Sequence, residues 1–221
     1  MKHPRTLTLL GLGLCLAQGS TQAAPQLYET GPAEDAAFVR FIDALPTALD
    51  VRAGKGAHIA LTPEERATTW QPVKARAALG ATLEQGGRSE KVELSVEPSE
   101  FVNVVAVPDG AGWRVEIGRE KPDDFSAHKV SLGLLNLDTA CSRASLRVAG
   151  KTVMIVEGVA PRETRRRQIN PVALSVDLLC DGQPSGSPLD LGSLRAGERW
   201  TLLAHPSPAG TRLLPILDRM P

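Results

Sequence analysis

Short apolar runs recur along the chain and are separated by Gly, Pro and Asp, whereas long stretches of helical periodicity are scarce. Short runs of period-two or continuous apolar character between turn residues are typical of β-strands. One helical turn is predicted at 62–65, where Thr62 can act as N-cap and Pro63 can begin the turn. The pattern predicts strands over segments 38–42, 73–81, 91–96, 101–107, 114–118, 130–137, 144–148, 153–159, 171–179, 189–191 and 200–204.

Two groups of predicted strands flank the sequence Lys-Pro-Asp-Asp at 121–124, which is typical of a break between domains. Each group has too few strands for a large closed barrel and enough for two packed sheets. We therefore predict an all-β protein with two tandem antiparallel β-sandwich domains, immunoglobulin-like or jelly-roll, at residues 24–124 and 125–221. A single larger sandwich is the alternative.

The two groups also resemble each other weakly. Three pairs of segments carry this similarity: 38–43 with 130–138, 71–73 with 170–172, and 98–101 with 196–200. Pro72 and Pro171 are 99 residues apart, as are Phe101 and Trp200. A constant offset favours duplication of one domain design, and generic β patterning is the alternative.

Residues 1–23 have the order of a secretory signal peptide, with Lys2 and Arg5 ahead of an apolar run that ends in small and polar residues. We expect cleavage after Ala23 and a soluble protein in the periplasm. Cys15 follows Leu14, where a lipidation signal requires a small residue, so we interpret it as part of the apolar signal core. No later segment approaches the roughly 18 to 20 apolar residues of a membrane-spanning helix.

Export leaves Cys141 and Cys180 as the cysteines of the mature chain. Two cysteines in an oxidising compartment are predicted to form a disulfide, with two separate buried thiols as the alternative. The formal charge of the whole chain is zero, with 25 basic and 25 acidic residues, but its distribution is uneven. Residues 24–124 carry 11 basic and 17 acidic residues, whereas 125–221 carry 12 and 8. The acidic first half and the basic second half could therefore serve as separate docking surfaces.

A serine esterase or acetyltransferase needs its nucleophile on a sharp turn between small residues, and no Gly-x-Ser-x-Gly motif is present. Ser185 lies in a Pro-Ser-Gly-Ser-Pro stretch that we interpret as a turn. His58, His128 and His205 have no metal-ligand spacing, and no phosphate-binding glycine loop occurs, so neither a metal nor another cofactor is expected. The small basic surplus and the exported address also argue against a nucleic-acid partner. We expect a protein without catalytic residues; a cryptic acetyltransferase using Ser185, His128 or His205 is the alternative.

Arg162, Arg165, Arg166 and Arg167 form a basic cluster that we interpret as an exposed loop between strands. Arginine binds carboxylates bidentately, so this cluster is a candidate surface for an acidic partner protein or an acidic glycan. A solvated loop without a ligand is the alternative. Trp70, Trp113 and Trp200 could stack on sugars, although Trp200 begins an apolar strand and is better placed in the core.

Several segments resemble the AlgF family of periplasmic accessory proteins. At the start of the mature chain these are 26–29, Gln-Leu-Tyr-Glu, and 36–44, Ala-Ala-Phe-Val-Arg-Phe-Ile-Asp-Ala; in the second half they are 150–152, 156–162 and 169–172. The resemblance covers nearly the whole mature chain, and its motifs are structural rather than catalytic. It implies two β-sandwich domains and a protein that is required for O-acetylation of alginate without being an enzyme itself.

Partners also follow from the resemblance. It implies a membrane-bound acyltransferase and periplasmic SGNH-type acetyltransferases, with a role as adaptor or acyl relay between them. The pair Cys141 and Cys180 departs from the alginate proteins, and related accessory proteins occur in systems that acetylate cellulose. The polymer is therefore alginate or cellulose, and a module that binds the polysaccharide is the alternative function. Because cellulose is neutral, a cellulose system would favour the arginine cluster touching a protein.

Overall fold

The structure is a computed structural model that describes residues 36–54, 57–121 and 125–220. The predicted signal peptide with Cys15, the expected cleavage site and segment 26–29 of the resemblance lie outside the described residues. The boundary predicted after Asp124 also falls outside them, because 122–124 are not described. Within the part of the chain that is described, no helix is long and apolar enough to cross a membrane.

Sixteen strands are described, eight on each side of 122–124. The first eight are β1 Ala36–Asp43, β2 Leu49–Ala53, β3 Ala57–Leu61, β4 Gln71–Lys74, β5 Leu79–Gln85, β6 Arg88–Leu94, β7 Phe101–Asp109 and β8 Gly112–Glu120. The second eight are β9 Val130–Asn136, β10 Ala144–Val148, β11 Met154–Val159, β12 Thr164–Ile169, β13 Ala173–Cys180, β14 Gln183–Ser193, β15 Arg199–His205 and β16 Arg212–Leu217.

The strands form four four-stranded sheets, two in each half. Their orders are β4-β1-β7-β8 and β3-β2-β5-β6 in the first half, and β12-β9-β15-β16 and β11-β10-β13-β14 in the second. The prediction of two tandem β-sandwiches is confirmed. Each half also contains one parallel pair, β1 with β7 and β9 with β15, in otherwise antiparallel sheets.

The two halves repeat one topology, because adding eight to each strand number of the first half gives the sheets of the second. The turn before the seventh strand shows the repeat at single residues. Glu100 accepts a hydrogen bond from the backbone N–H of Glu97 at 2.8 Å, and Glu198 accepts one from that of Arg195 at 3.0 Å. The residue before each glutamate has positive φ, 62° at Ser99 and 83° at Gly197.

Glu100 and Glu198 are 98 residues apart, so the predicted offset of 99 is wrong by one at this strand. The pairing of segment 71–73 with 170–172 is also wrong, since 71–73 lies in β4 whereas 170–172 precedes β13.

The described residues contain four apolar clusters, of which a small one is formed by Phe38, Trp70 and Phe101. The other three hold the sheets together in four layers. One cluster fills the first sandwich, with Val39, Val102 and Val104 at its centre. Another fills the second sandwich between its two sheets. A third joins the sandwiches through the outer faces of β4-β1-β7-β8 and β12-β9-β15-β16, and contains Ile42, Ala44, Val105, Val107, Leu135, Leu137, Leu203 and Ile216. The central strands of the inner sheets, β1, β7, β9 and β15, are therefore largely buried on both faces, and β9 is buried at every position.

Several local predictions are wrong. Segment 73–81 is two strands joined by a turn, and the Pro-Ser-Gly-Ser-Pro stretch lies inside β14. Residues 62–65 form no helix, although the Thr62 hydroxyl accepts the N–H of Glu65 at 3.1 Å as an N-cap would. Strands β2, β3, β12 and β16 were not predicted. The predicted disulfide is confirmed: Cys141 and Cys180 are bonded, and they link the loop before β10 to the end of β13.

Candidate functional site

The arginine cluster does not form the predicted exposed loop. Its residues from Thr164 to Ile169 are strand β12, at the edge of the inner sheet of the second sandwich, paired antiparallel with β9. Alternation along this strand points Arg165 and Arg167 to solvent and Arg166 inward. Arg162 precedes the strand in a left-handed backbone conformation, with φ of 67°. The four arginines therefore lie in different environments.

Arg166 lies between the two sandwiches, where carboxylates from both halves surround its guanidinium. Its Nε and Nη2 donate to the two carboxylate oxygens of Glu120 at 2.7 and 2.8 Å. Nη2 also lies 2.8 Å from Asp218 and 2.7 Å from the Thr201 hydroxyl. A Cβ built on Gly133 would stand 2.9 Å from the Arg166 guanidinium carbon, so the glycine leaves the space that the arginine fills.

Arg40 brings a second guanidinium to the same interface from the first sandwich. Its side chain is fully buried and donates to Asn103 at 2.6 Å, Asp218 at 2.7 Å and Thr201 at 3.0 Å. The guanidinium carbon also lies 4.1 Å from the ring centroid of Trp70. Asp218 thus accepts hydrogen bonds from one arginine of each sandwich, and it is 1% exposed.

Glu116 and Arg162 form a third contact across the interface, with Arg162 Nε 2.7 Å from the carboxylate. Burial alone would raise the pKa of Glu116, but hydrogen bonds from Arg162 and Arg114 hold it below its ordinary value. The pKa of Asp218 is lowered in the same way, because the charges of Arg40 and Arg166 outweigh its burial. Both carboxylates are therefore ionised at neutral pH.

Part of the charge difference between the acidic first half and the basic second half is neutralised by ion pairs inside the molecule. Acidic side chains of the first sandwich meet basic side chains of the second at Glu116 with Arg162 and at Glu120 with Arg166. Removing one member of the buried pair of Glu120 and Arg166 leaves a charge without compensation, which typically costs about 3 to 5 kcal/mol. The side chain of Arg162 is 65% exposed, so solvent screens its pair with Glu116 and that pair contributes less. We conclude that this network, which we call the interface network, holds the two sandwiches in one relative position.

Arg165 and Arg167 are exposed but each makes a local contact. Arg165 donates to the backbone carbonyl of Glu157 at 2.9 Å, and Arg167 donates to that of Met154 at 3.1 Å. These carbonyls belong to β11, the edge strand of the neighbouring sheet. Charged side chains at sheet edges hinder pairing with foreign strands. The outer arginines therefore cover the edge of β11 while the rest of their surface faces solvent.

A cleft of about 870 Å³ opens between the sandwiches at another place. Its walls come from the segment after β1, the β5–β6 and β7–β8 turns, and the connection from β15 to β16. Its apolar lining includes Leu45, Trp113 and Leu214, of which Leu45 and Trp113 are 2% and 3% exposed. Arg66, Arg88 and His205 contribute the basic groups. Aspartate and glutamate are absent from the described residues that line the cleft.

The basic groups of the cleft differ in their hydrogen-bond partners and in their charge. Arg66 donates Nη1 to the carbonyls of Asp43 and Leu45, at 3.2 and 2.7 Å, and so supports the cleft wall. Arg88 donates Nε to Glu90 at 2.8 Å and is half exposed. Burial lowers the pKa of His205, so its imidazole is neutral near pH 7.

The other sequence candidates are scattered. Trp70 and Trp113 are 1% and 3% exposed, so neither can present a ring face to a sugar, and Trp200 is half-buried. Ser185 donates to the carbonyl of Thr211 at 2.9 Å, and no hydrogen bond joins it to a histidine among the described residues. The described residues also contain no group of three or more potential metal ligands.

Sequence reasoning missed the interface network and the cleft. Arg40 carried one usable signal, a charge in the middle of the apolar run Phe-Val-Arg-Phe-Ile, because a charge at a core position is almost always paired. The residues of the cleft come from distant turns and carry no such signal.

Comparison with known proteins shows similarity to solved structures. No family model and no curated protein sequence matches the chain. The structure is similar to the crystal structure of a "putative cell adhesion protein" from Bacteroides uniformis, at 13% sequence identity, with 86% of this chain and 100% of that chain covered and a TM-score of 0.33.

Proposed function

We propose that this protein is a periplasmic, non-catalytic accessory protein that is required for O-acetylation of a secreted polysaccharide, alginate or cellulose. In this role it docks with a membrane-bound acyltransferase and exported SGNH-type acetyltransferases and holds them in a fixed arrangement. The proposal rests on the AlgF resemblance, whose implied architecture of two β-sandwiches is the architecture of this chain. Segments 36–44 and 156–162 of the resemblance contribute Arg40 and Arg162 to the interface network.

The observation that carries the docking role is the interface network. Domains joined by small polar interfaces normally move relative to each other. Here an apolar cluster and buried ion pairs join the sandwiches, with Arg40 and Asp218 0% and 1% exposed. A rigid module presents surfaces on its two halves at a constant distance, which suits a protein that positions other components.

Deletion of the gene tests the role directly. We expect loss of acetyl esters from the secreted polysaccharide with polymer yield unchanged, and restoration by the wild-type chain. Unchanged acetylation would contradict the proposal. Fractionation of the cells tests the cellular location. We expect the mature protein in the periplasm, with its signal peptide cleaved after Ala23.

The role of the arginine cluster in docking is tested with variants that keep Arg166, because Arg166 belongs to the interface network. The double variant Arg165→Ala, Arg167→Ala removes the two arginines of the cluster that lie outside the interface network. Arg52→Ala, Arg76→Ala is the matched control on the first sandwich, where both arginines pair with exposed glutamates. If β12 is a working surface, the first variant should fail to restore acetylation while the control restores it. Equal restoration of acetylation by both variants would show that Arg165 and Arg167 are not part of the docking surface.

A further inference from the structure

The cleft between the sandwiches has the composition of a binding site. Ligand sites commonly have volumes of roughly 300 to 1,000 Å³ and are mainly apolar with a few placed polar groups. The cleft measures about 870 Å³, and its charged lining is of one sign, Arg66 and Arg88. Residues of both sandwiches form it, so the interface network also determines its shape.

The residues that line the cleft favour an acidic polypeptide over an acidic sugar as its ligand. A sugar site needs many hydrogen-bonding side chains or an open aromatic face, whereas Gln85, Ser207 and His205 are the neutral hydrogen-bonding side chains in the described lining and Trp113 is 3% exposed. Leucine, proline and alanine make up much of the remainder. Apolar surface with arginines at the margin fits a polypeptide that carries both apolar and acidic side chains.

From this composition we infer that the cleft is the docking site for an acidic, partly apolar peptide segment of an exported acetyltransferase. This inference rests on the proposed function and names the surface through which it operates. Arginine suits the role because its guanidinium carries five N–H donors, so one that already bonds a carboxylate through Nε can still donate from Nη1.

Arg88 is the group best placed to receive the carboxylate. Its Nε and Nη2 are bonded to Glu90, whereas Nη1 points toward Gly112, where an added Cβ would stand 3.0 Å away. Gly112 lines the cleft, so Nη1 reaches its wall. Arg66 supports the wall by holding backbone carbonyls, which makes it unsuitable for a charge-reversal test.

The test uses each purified SGNH-type acetyltransferase of the same polysaccharide-acetylation system. Its binding to the mature chain is measured by biolayer interferometry at low and at physiological salt. Arg88→Glu reverses the charge in the cleft and places it beside Glu90. Arg52→Glu is the matched control, because it reverses an exposed arginine paired with Glu84 in the same sheet. Ala111→Trp blocks the cleft from the exposed tip of the β7–β8 turn without changing charge.

We expect Arg88→Glu to weaken binding about tenfold or more, because the new carboxylate would repel the acidic side chains of the bound peptide at close range. Ala111→Trp should weaken binding to a similar extent by filling the cleft. Arg52→Glu should bind as the wild type does, because Arg52 does not line the cleft. Binding by all variants at wild-type affinity would overturn the cleft as the site and leave the docking function standing. Equal weakening by Arg88→Glu and Arg52→Glu would show general charge attraction and overturn it too. Absence of wild-type binding would overturn both proposals.

A parallel titration uses a uronic-acid oligosaccharide as probe. Binding of this probe that Arg88→Glu abolishes and Arg52→Glu spares would assign the cleft to a glycan and overturn the peptide inference. We expect no such binding.

Discussion

At the scale of single residues, the repeat makes Asp43 unusual. Asp43 accepts the N–H of Leu45 at 2.8 Å through Oδ1, and its buried Oδ2 has no partner. Asn136 occupies the equivalent place in the second sandwich, since it pairs with Ala204 as Asp43 pairs with Ala106. Its amide nitrogen donates to two backbone carbonyls, at 2.7 and 3.1 Å. A protonated Asp43 can donate from the same position, and burial raises its pKa to about 6.

Asp43→Asn should therefore stabilise the protein at neutral pH. The raised pKa means that Asp43 contributes its full stability below the unfolded pKa of 3.8 and that this is lost as the pH rises through about 6. A shift of this size corresponds to about 3 kcal/mol. Urea unfolding at pH 4 should give similar free energies for the two proteins, with the variant more stable at pH 8. Parallel curves from pH 4 to 8 would contradict this assignment.

Asp218 represents the opposite case, a buried carboxylate that must remain charged. Asp218→Asn leaves Arg40 and Arg166 less compensated, and we expect a loss of about 3 to 5 kcal/mol in the free energy of unfolding. Glu84→Gln is the control, because it breaks the exposed pair with Arg52 and should cost under about 1 kcal/mol. Denaturant unfolding at pH 7 measures both, and similar small losses would show that the interface network contributes little.

At the scale of elements, the disulfide ties the loop before β10 to the end of β13 across 39 residues of chain. Ala144 and Cys180 are also paired in the sheet, and Asp181 accepts the N–H of Arg143 at 3.0 Å beside the bond. The chain-entropy model gives about 4 kcal/mol for a loop of this length. Thermal unfolding of Cys141→Ser, Cys180→Ser should show a corresponding loss, and reduced wild type should match the variant. An unchanged melting temperature would contradict a stabilising role.

At the scale of the whole molecule, the packing of the inner sheets should make the two sandwiches unfold together. Gly118 lies where a Cβ would stand 2.4 Å from buried Leu135 of the other sandwich. Gly118→Ala should therefore force the sandwiches apart without entering either core, at a cost of about 1 to 3 kcal/mol. Gly80→Ala is the control, because nothing lies within 4 Å of its added Cβ.

Calorimetry measures this coupling. We expect one transition for the wild type and for Gly80→Ala, and a lowered or divided transition for Gly118→Ala. Two separate transitions in the wild type would mean that the sandwiches unfold independently.

Strands buried on both faces were the best predicted parts of the chain. Residues of β1, β7, β9 and β15 form mainly apolar runs, with few polar residues such as Arg40 and Asn103, because one face packs inside a sandwich and the other against its neighbour. Strands β3, β12 and β16 lie at sheet edges. β16 is apolar, but Pro215 interrupts its run, and a proline within a run argues against a strand in a sequence-based prediction. Thr-Arg-Arg-Arg-Gln-Ile in β12 resembles a polar loop because most of its side chains meet solvent or carboxylates.

The sequence alone determined the all-β class, the division into two sandwiches and the pairing of Cys141 with Cys180, because turn spacing, apolar periodicity and cysteine number are local or countable properties. Tertiary structure decided which charges are buried. Arg166 and Arg167 are neighbours of one type, yet one is enclosed between carboxylates and the other is exposed at an edge. Strand alternation and sheet stacking make that difference, and the same stacking assembles the cleft from turns far apart in the chain.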